Sequence, residues 1–160
     1  MKPILYILCG PSGCGKTTWA CEFIKEKRET QEIRYVSRDE IRFEMLGEDE
    51  DYFAHEKEVF ARFVLYLAET LKEGIDVIAD ATHIDEFSRR KLTQAIDMQG
   101  FTDYEIVYVV VSIGYEECIQ RNASREGRAR VPDTVISNMY RKFKFPSLEE
   151  DERATEVIEV

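Results

Sequence analysis

Residues 10–17 read GPSGCGKT, fitting the spacing GxxxxGK[ST], and no other feature of the chain constrains its fold as tightly. Such a spacing works only where a strand runs into a tight glycine turn and the turn opens a helix. Backbone N–H groups then point inward, and the helix N-terminus adds partial positive charge, so the turn becomes a seat for phosphate oxygens. The apolar run Ile4 to Cys9 supplies the strand and the residues from Lys16 onward the helix. In that seat Lys16 reaches the β- and γ-phosphates of a nucleotide, and the Thr17 hydroxyl is a ligand for Mg²⁺. A glycine-rich turn without a ligand is the bland alternative, and it gives these residue types no shared job.

The rest of the chain must supply a sheet for this strand. Strand-like runs recur at Ile33 to Ser37, Ile75 to Asp80, Tyr104 to Val111 and, more weakly, Glu156 to Val160. Between them lie helical stretches, the clearest over 52–72, where Phe60, Phe63, Val64, Leu67 and Leu71 make one apolar stripe that Gly74 closes. Strand-helix alternation with β-branched strands such as EIVYVVVS implies a parallel sheet buried on both faces. The expectation is therefore an α/β P-loop NTPase fold, a parallel five-stranded sheet flanked by helices. The 160 residues, 44% apolar and 34% charged, suit one water-soluble domain over 1–160.

Charge narrows the partners. Lys and Arg number 22 against 32 Asp and Glu, a formal net charge of −10, which argues against holding nucleic acid by general attraction. The distribution is uneven, however. From Cys118 to Pro146 there are seven basic and two acidic residues, whereas 38–51 and 147–160 are acidic. A solvated helix face is the simple account of the acidic runs. Cysteines at 9, 14, 21 and 118 show neither the paired spacing of a zinc site nor the density of a disulfide scaffold, pointing to a reducing, cytoplasmic location. Met1 to Cys9 runs straight into the glycine turn without a small-residue cleavage site, so it reads as a buried strand rather than a signal peptide. No run approaches the roughly 18 apolar residues of a membrane helix, so no membrane partner is expected.

A phosphate seat serves motors, switches and kinases alike, and the remaining residues must decide. An NKxD-type guanine-reading motif is absent, and Asp80 is followed by Ala81 rather than by the second acid of a motor ATPase. A small kinase remains, with ATP and Mg²⁺ as its cofactors. The expected ATP-binding set is Gly10, Ser12, Gly13, Cys14, Gly15, Lys16, Thr17 and Thr18, with Thr17 the metal ligand. In an open α/β sheet, ligands gather beyond the carboxyl ends of the strands, which points to Ser37-Arg38-Asp39-Glu40-Ile41-Arg42 and Asp80-Ala81-Thr82-His83. If a helix begins near Asp39, Arg42 lies one turn on, and the pair could grip an acceptor's hydroxyl and phosphate. Asp39 is then either a general base for the attacking hydroxyl or merely, like Ser37, a helix N-cap. Asp80 either meets Mg²⁺ through water or anchors its loop, and Thr82 is a candidate donor to phosphate. His55 and His83 are not spaced as a metal pair and read as surface or packing residues. Arg121 and Arg125, four apart and so expected on one helix face, head an arginine-rich segment with Arg128 and Arg130 that looks like a lid over about 118–132.

Taken in order, GPSGCGKT, SRDEIR, DATHIDEFSRRK and RNASREGRARVPDTVISNMYRKFKFP, the chain resembles the kinase domain of phage-type 5′-hydroxyl polynucleotide kinases, of the P-loop kinase superfamily. The resemblance implies ATP-dependent transfer of the γ-phosphate to the 5′-hydroxyl end of RNA or DNA, with a role in nucleic acid repair. It implies that Asp39 is the general base, that Arg42 contacts the acceptor's 3′-phosphate and that Thr82 contacts phosphate. It also implies that Arg121 and Arg125 close over ATP, Arg125 stabilising the transition state alongside Lys16. Asp80 is carried over with the substrate-binding group, although Ala81 separates it from Thr82. The DxDGT-type motif of the phage enzymes' phosphatase domain is absent. A P-loop kinase of a small-molecule alcohol such as a sugar, nucleoside or nucleotide sugar is the alternative. An ATP-binding switch docking through its acidic tail is a third reading, and protein partners stay unspecified.

Overall fold

The computed structural model describes residues 1–111, 114–127 and 130–160. Among these residues five strands, β1 (Ile4–Cys9), β2 (Ile33–Ser37), β3 (Asp76–Asp80), β4 (Glu105–Val110) and β5 (Ala154–Glu159), form one sheet in the order β2-β3-β1-β4-β5. Every pairing is parallel, with Leu5 opposite Val77 on one side of β1 and Leu5 opposite Ile106 on the other. The α/β fold expected from the strand-helix alternation is the fold observed. The strand ends differ from the sequence reading by one or two residues. Ile75 and Tyr104 fall outside their strands, because their N–H groups bond to the carbonyls of Thr70, in the helix before β3, and of Thr102, in the loop before β4.

Among the described residues, six α-helices connect the strands: α1 (Lys16–Lys27), α2 (Arg38–Met45), α3 (Glu56–Lys72), α4 (Glu86–Asp97), α5 (Tyr115–Ala123) and α6 (Asp133–Lys142). They cover both faces of the sheet, and the two-residue alternation of β1 sorts the core accordingly. Leu5, Ile7 and Cys9 pack with Phe63, Leu67, Leu71, Leu92 and Ile96 from α3 and α4. Tyr6 and Leu8 join Ala20, Cys118 and Ile136 from α1, α5 and α6 on the opposite face. The apolar stripe of α3 is buried as its spacing predicts, except that Phe60 is only partly covered. Truncating Phe63 would cost about 3–5 kcal/mol, most of it for a cavity its neighbours cannot fill. The helix starts at Glu56, not at Tyr52. Residues 52–55 form a turn that carries Tyr52 and Phe53 back toward α2.

One buried ion pair fastens the chain's last segment to α4. Arg89 donates through Nε and Nη2 to Glu150 at 3.0 and 2.7 Å, and its Nη1 donates to the His83 carbonyl at 3.0 Å. That carbonyl belongs to the β3–α4 loop, where His83 adopts φ 41°, a left-handed backbone for a residue with a Cβ. His83 Nδ1 meets the Leu8 carbonyl at 2.7 Å, and Gly10 N–H donates to the Thr82 carbonyl at 2.9 Å. The loop after β3 is thereby bolted to the glycine turn after β1, and both floor the same end of the sheet.

Candidate active site

The glycine turn leaves β1 and reverses direction within a few residues. A Cβ on Gly10 would lie 2.4 Å from the Val111 carbonyl oxygen, so the turn threads a gap that only glycine fits. Gly15, at φ 95°, is the N-cap of α1 and delivers the first helical N–H groups toward the turn. Lys16 is buried, and its ammonium lies over the turn, donating to the Pro11 carbonyl at 2.8 Å. The strand-turn-helix context that the spacing demands is therefore present.

A cavity of about 520 Å³ opens at the carboxyl ends of β1, β2 and β3. Ser12, Gly13, Gly15, Lys16, Thr17 and Thr18 line it from the turn, Asp39 and Arg42 from α2, Asp80 and Thr82 from the end of β3, and Arg121 and Arg125 from the far side. Of the residues expected to bind ATP or acceptor, Gly10 and Cys14 do not line it; Cys14 is fully buried beneath the turn, its Sγ beside Gly10.

At the turn side, Thr17 Oγ1 donates to Asp80 Oδ2 at 3.0 Å, and the Tyr35 hydroxyl donates to the same carboxylate oxygen. Tyr35, from β2, was not foreseen: an aromatic in a strand reads as core, and only the sheet order puts it beside Asp80. Burial, and then the Asp80 charge, hold its phenol above the usual range, so it stays a donor. A hydroxyl and a carboxylate side by side are hard oxygen ligands of the kind Mg²⁺ takes together with nucleotide phosphates. Thr17 and Asp80 thus fit a magnesium ion, and Asp80 lies with Thr17 rather than with Asp39.

Facing them, α2 and the start of α3 build a charged wall. Ser37 caps α2, its side chain accepting from Glu40 N–H at 3.2 Å, which leaves the Asp39 carboxylate free of capping. Arg42 is buried and held from two sides. It pairs with Asp39 and donates to the Tyr52 hydroxyl at 2.8 Å, and it grips Glu56 through Nε at 2.7 Å and Nη2 at 3.1 Å. Tyr52 in turn donates to Asp39 Oδ1 at 2.6 Å, and its ring lies 4.4 Å under the Arg42 guanidinium. Burial and the neighbouring Asp39 raise the Tyr52 phenol well above its ordinary value, which keeps this proton on the tyrosine. Arg38 completes the set, with Nη2 2.9 Å from Glu56 Oε2. Tyr52 and Glu56 carry no sequence signal of their own, since each meets Arg42 across a turn of no regular spacing.

The opposite wall comes from α5 and α6. Here the structure corrects one expectation: α5 ends at Ala123 with Ser124 as its C-cap, so Arg125 is past the helix and does not share a helical face with Arg121. Both nonetheless line the cavity. Arg121 Nη1 would sit 3.0 Å from a Cβ placed on Gly15, which puts its guanidinium directly over the glycine turn. Arg128 lies outside the described residues, and Arg130 is exposed. Asn122, fully buried, ties this wall together: its amide donates to the Val131 carbonyl at 2.6 Å and accepts from the Val131 N–H at 3.0 Å. Val131, Val135 and Met139 add an apolar lining.

Both histidines are packing or surface residues. Burial pushes His83 down to about 4, so it is neutral, and His55 pairs with Glu50 at the surface. All four cysteines are free thiols, and no helix among the described residues is long and apolar enough to cross a membrane.

A parallel sheet in this order, with a GxxxxGK[ST] turn after its central strand, defines a P-loop NTPase domain with the P-loop kinase fold. The chain belongs to the AAA domain family (AAA_33), whose model matches residues 5–146. Among solved structures it is similar to a chain of the Pnkp1/Rnl/Hen1 RNA repair complex, with a TM-score of 0.71 and 23% identity, covering 88% of this chain and 44% of that one. It is similar also to Kti12 of Chaetomium thermophilum in complex with ADP-AlF3, with a TM-score of 0.68 and 16% identity over 99% and 88% of the two chains. A sugar kinase of Janibacter sp. HTCC2649 matches with a TM-score of 0.63 and 15% identity over 99% and 86%. At these identities the likeness is one of fold, and the chain spans less than half the length of the repair-complex chain. No curated protein matches the sequence.

Proposed function

We propose that this chain is an ATP-dependent phosphotransferase whose acceptor is the 5′-hydroxyl end of a polynucleotide. The observation that carries the reading is the pairing of Asp39 with Arg42 in the same cavity as Lys16 and Thr17, with Arg121 and Arg125 across from them. ATP would rest its phosphates on Gly13 to Thr18, with Lys16 leaving the Pro11 carbonyl for the β- and γ-oxygens. A magnesium ion held by Thr17 and Asp80 would neutralise charge on those oxygens. Asp39 would accept the proton of the attacking hydroxyl, which needs position more than a shifted pKa. Arg42, held in place by Glu56 and Tyr52, would present its guanidinium to a phosphate on the acceptor's 3′ side. Arg121 and Arg125 would meet the charge that spreads over the transferred group.

The likeness to a chain of an RNA repair complex supports a nucleic acid end as acceptor, as does the Asp39–Arg42 pair. The likeness to a sugar kinase over 99% of this chain supports the second reading, a small alcohol as acceptor on the same machinery. The cytoplasm, where ATP and free thiols coexist, is the location both readings call for. Labelled ATP with a 5′-OH oligonucleotide is the direct test: transfer of label to the oligonucleotide is expected, and its absence at any protein concentration removes the polynucleotide assignment. Arg42→Ala then separates the readings. Activity on the oligonucleotide should fall at least about ten-fold, as for a lost charge-assisted hydrogen bond, whereas a kinase of an alcohol lacking a 3′-phosphate would be little affected.

A further inference from the structure

The wall around Arg42 carries one residue that phosphoryl transfer alone does not use. Phe53 is 58% exposed, and it lines the cavity. It follows the acidic run Glu48 to Asp51, so nothing in its local sequence favours an aromatic there. Its ring stands edge-on to Tyr52, with centroids 4.7 Å apart and planes at 84°, and the Arg42 guanidinium lies 6.0 Å from its centroid. The turn bearing it is fastened at both ends. Gly47 N–H donates to Glu50 at 2.9 Å, His55 pairs with the same Glu50, and Tyr52 is anchored on Asp39 and Arg42. An exposed apolar ring held still at a cavity wall is unfavourable in water and favourable once a flat apolar partner covers it.

We propose that Phe53 is a stacking platform for the nucleobase of the acceptor's terminal nucleotide. This rests on the phosphotransferase reading and narrows its substrate to acceptors that carry a base. The ring belongs to the wall of Asp39 and Arg42, so a nucleotide whose hydroxyl meets Asp39 and whose phosphate meets Arg42 has its base within reach of Phe53. The adenine of ATP belongs elsewhere: its phosphates lie on the glycine turn, over which Arg121 from the opposite wall is folded. Stacking tolerates any base, because every base has a π-face, so the platform selects for the presence of a base and not for its identity.

The test compares two acceptors, a nucleoside 3′-phosphate and the abasic sugar 3-phosphate, in wild type, Phe53→Ala and Phe53→Trp. In wild type the abasic acceptor should show a KM about ten-fold higher, the scale of one base-aromatic stack. Phe53→Ala should bring that ratio close to one, and Phe53→Trp should keep it. A wild-type ratio near one, a ratio that survives Phe53→Ala, or a Phe53→Ala effect that falls mainly on the KM for ATP would each overturn the platform while leaving phosphotransfer standing. Failure of wild type to phosphorylate either acceptor or an oligonucleotide would overturn the phosphotransferase reading and the platform with it.

Discussion

The two walls of the cavity are built on different physical terms. The wall of α2 and α3 is anchored by a helix with seven buried residues, and its cations are tied down: Arg42 by Asp39, Tyr52 and Glu56, and Arg38 by Glu56. The wall of α5 and α6 buries only Cys118, Asn122 and Ile136 from its two helices, and Arg121 holds a surface pair with Glu117, at 3.0 Å, of the kind worth little in water. In the function proposed above, the first would be preorganised to receive an acceptor in one geometry. The second has little buried apolar surface to hold it, and we propose that it is the part able to move as a lid.

If that contrast holds, the largest effect belongs to the lightly held wall. Arg125→Ala should lower kcat by about a thousand-fold or more, the range of an arginine acting on phosphoryl transfer, with a smaller change in the KM for ATP. An equal loss in both would mean that Arg125 only binds nucleotide. Across the cavity, Asp39→Ala should reduce kcat by roughly 10²–10⁴-fold while ATP binding, read by calorimetry, persists; a fully active variant would leave the carboxylate without a chemical role.

Between the walls, the floor makes a pH prediction. Burial lowers His83 from 6.5 to about 4, so the unfolded chain binds a proton the folded one refuses, and stability must fall as pH drops. The loss begins near pH 6.5 and levels off near pH 4, on the order of 3 kcal/mol in all. Denaturation midpoints of wild type and His83→Asn, followed over that window, should converge toward low pH. Parallel curves would show that His83 is not the group responsible.

A local effect sharpens the contrast itself. Asn122→Ala strips the Val131 N–H and carbonyl of their partners, at about 1–3 kcal/mol for each buried group left unpaired. Amide hydrogen exchange should quicken across α5 and α6 and stay unaltered in α2 and α3. Equal acceleration in both would mean that the two walls open together.

The comparison also separates what could be read from the chain alone. The glycine turn, the start of α1, the stripe of α3 and the parallel sheet were all legible, because each rests on short-range geometry: a periodicity of two or 3.6, or a turn only glycine can make. So was the adjacency of Asp39 and Arg42, one helical turn apart. The end of α5 was misjudged, since Arg121 and Arg125 at i and i+4 satisfy a helical spacing whether or not the helix continues. Tyr35, Tyr52, Phe53, Glu56 and Asn122 were missed. The importance of Tyr35, Tyr52, Glu56 and Asn122 lies in partners 9 to 45 residues away that no spacing predicts, and that of Phe53 in the cavity it lines.

By itself, then, the sequence determined that a phosphate seat follows a buried strand, and which helix turn faces it with a carboxylate and a guanidinium. Only the tertiary structure decided that Arg42 would be clamped by Tyr52 and Glu56, that Asp80 would side with Thr17, and that an exposed phenylalanine would look into the cavity. Hydrogen bonding within a turn or helix is set by neighbours along the chain. Which side chains meet across a cavity depends on how strands order in the sheet and on how helices pack against its two faces.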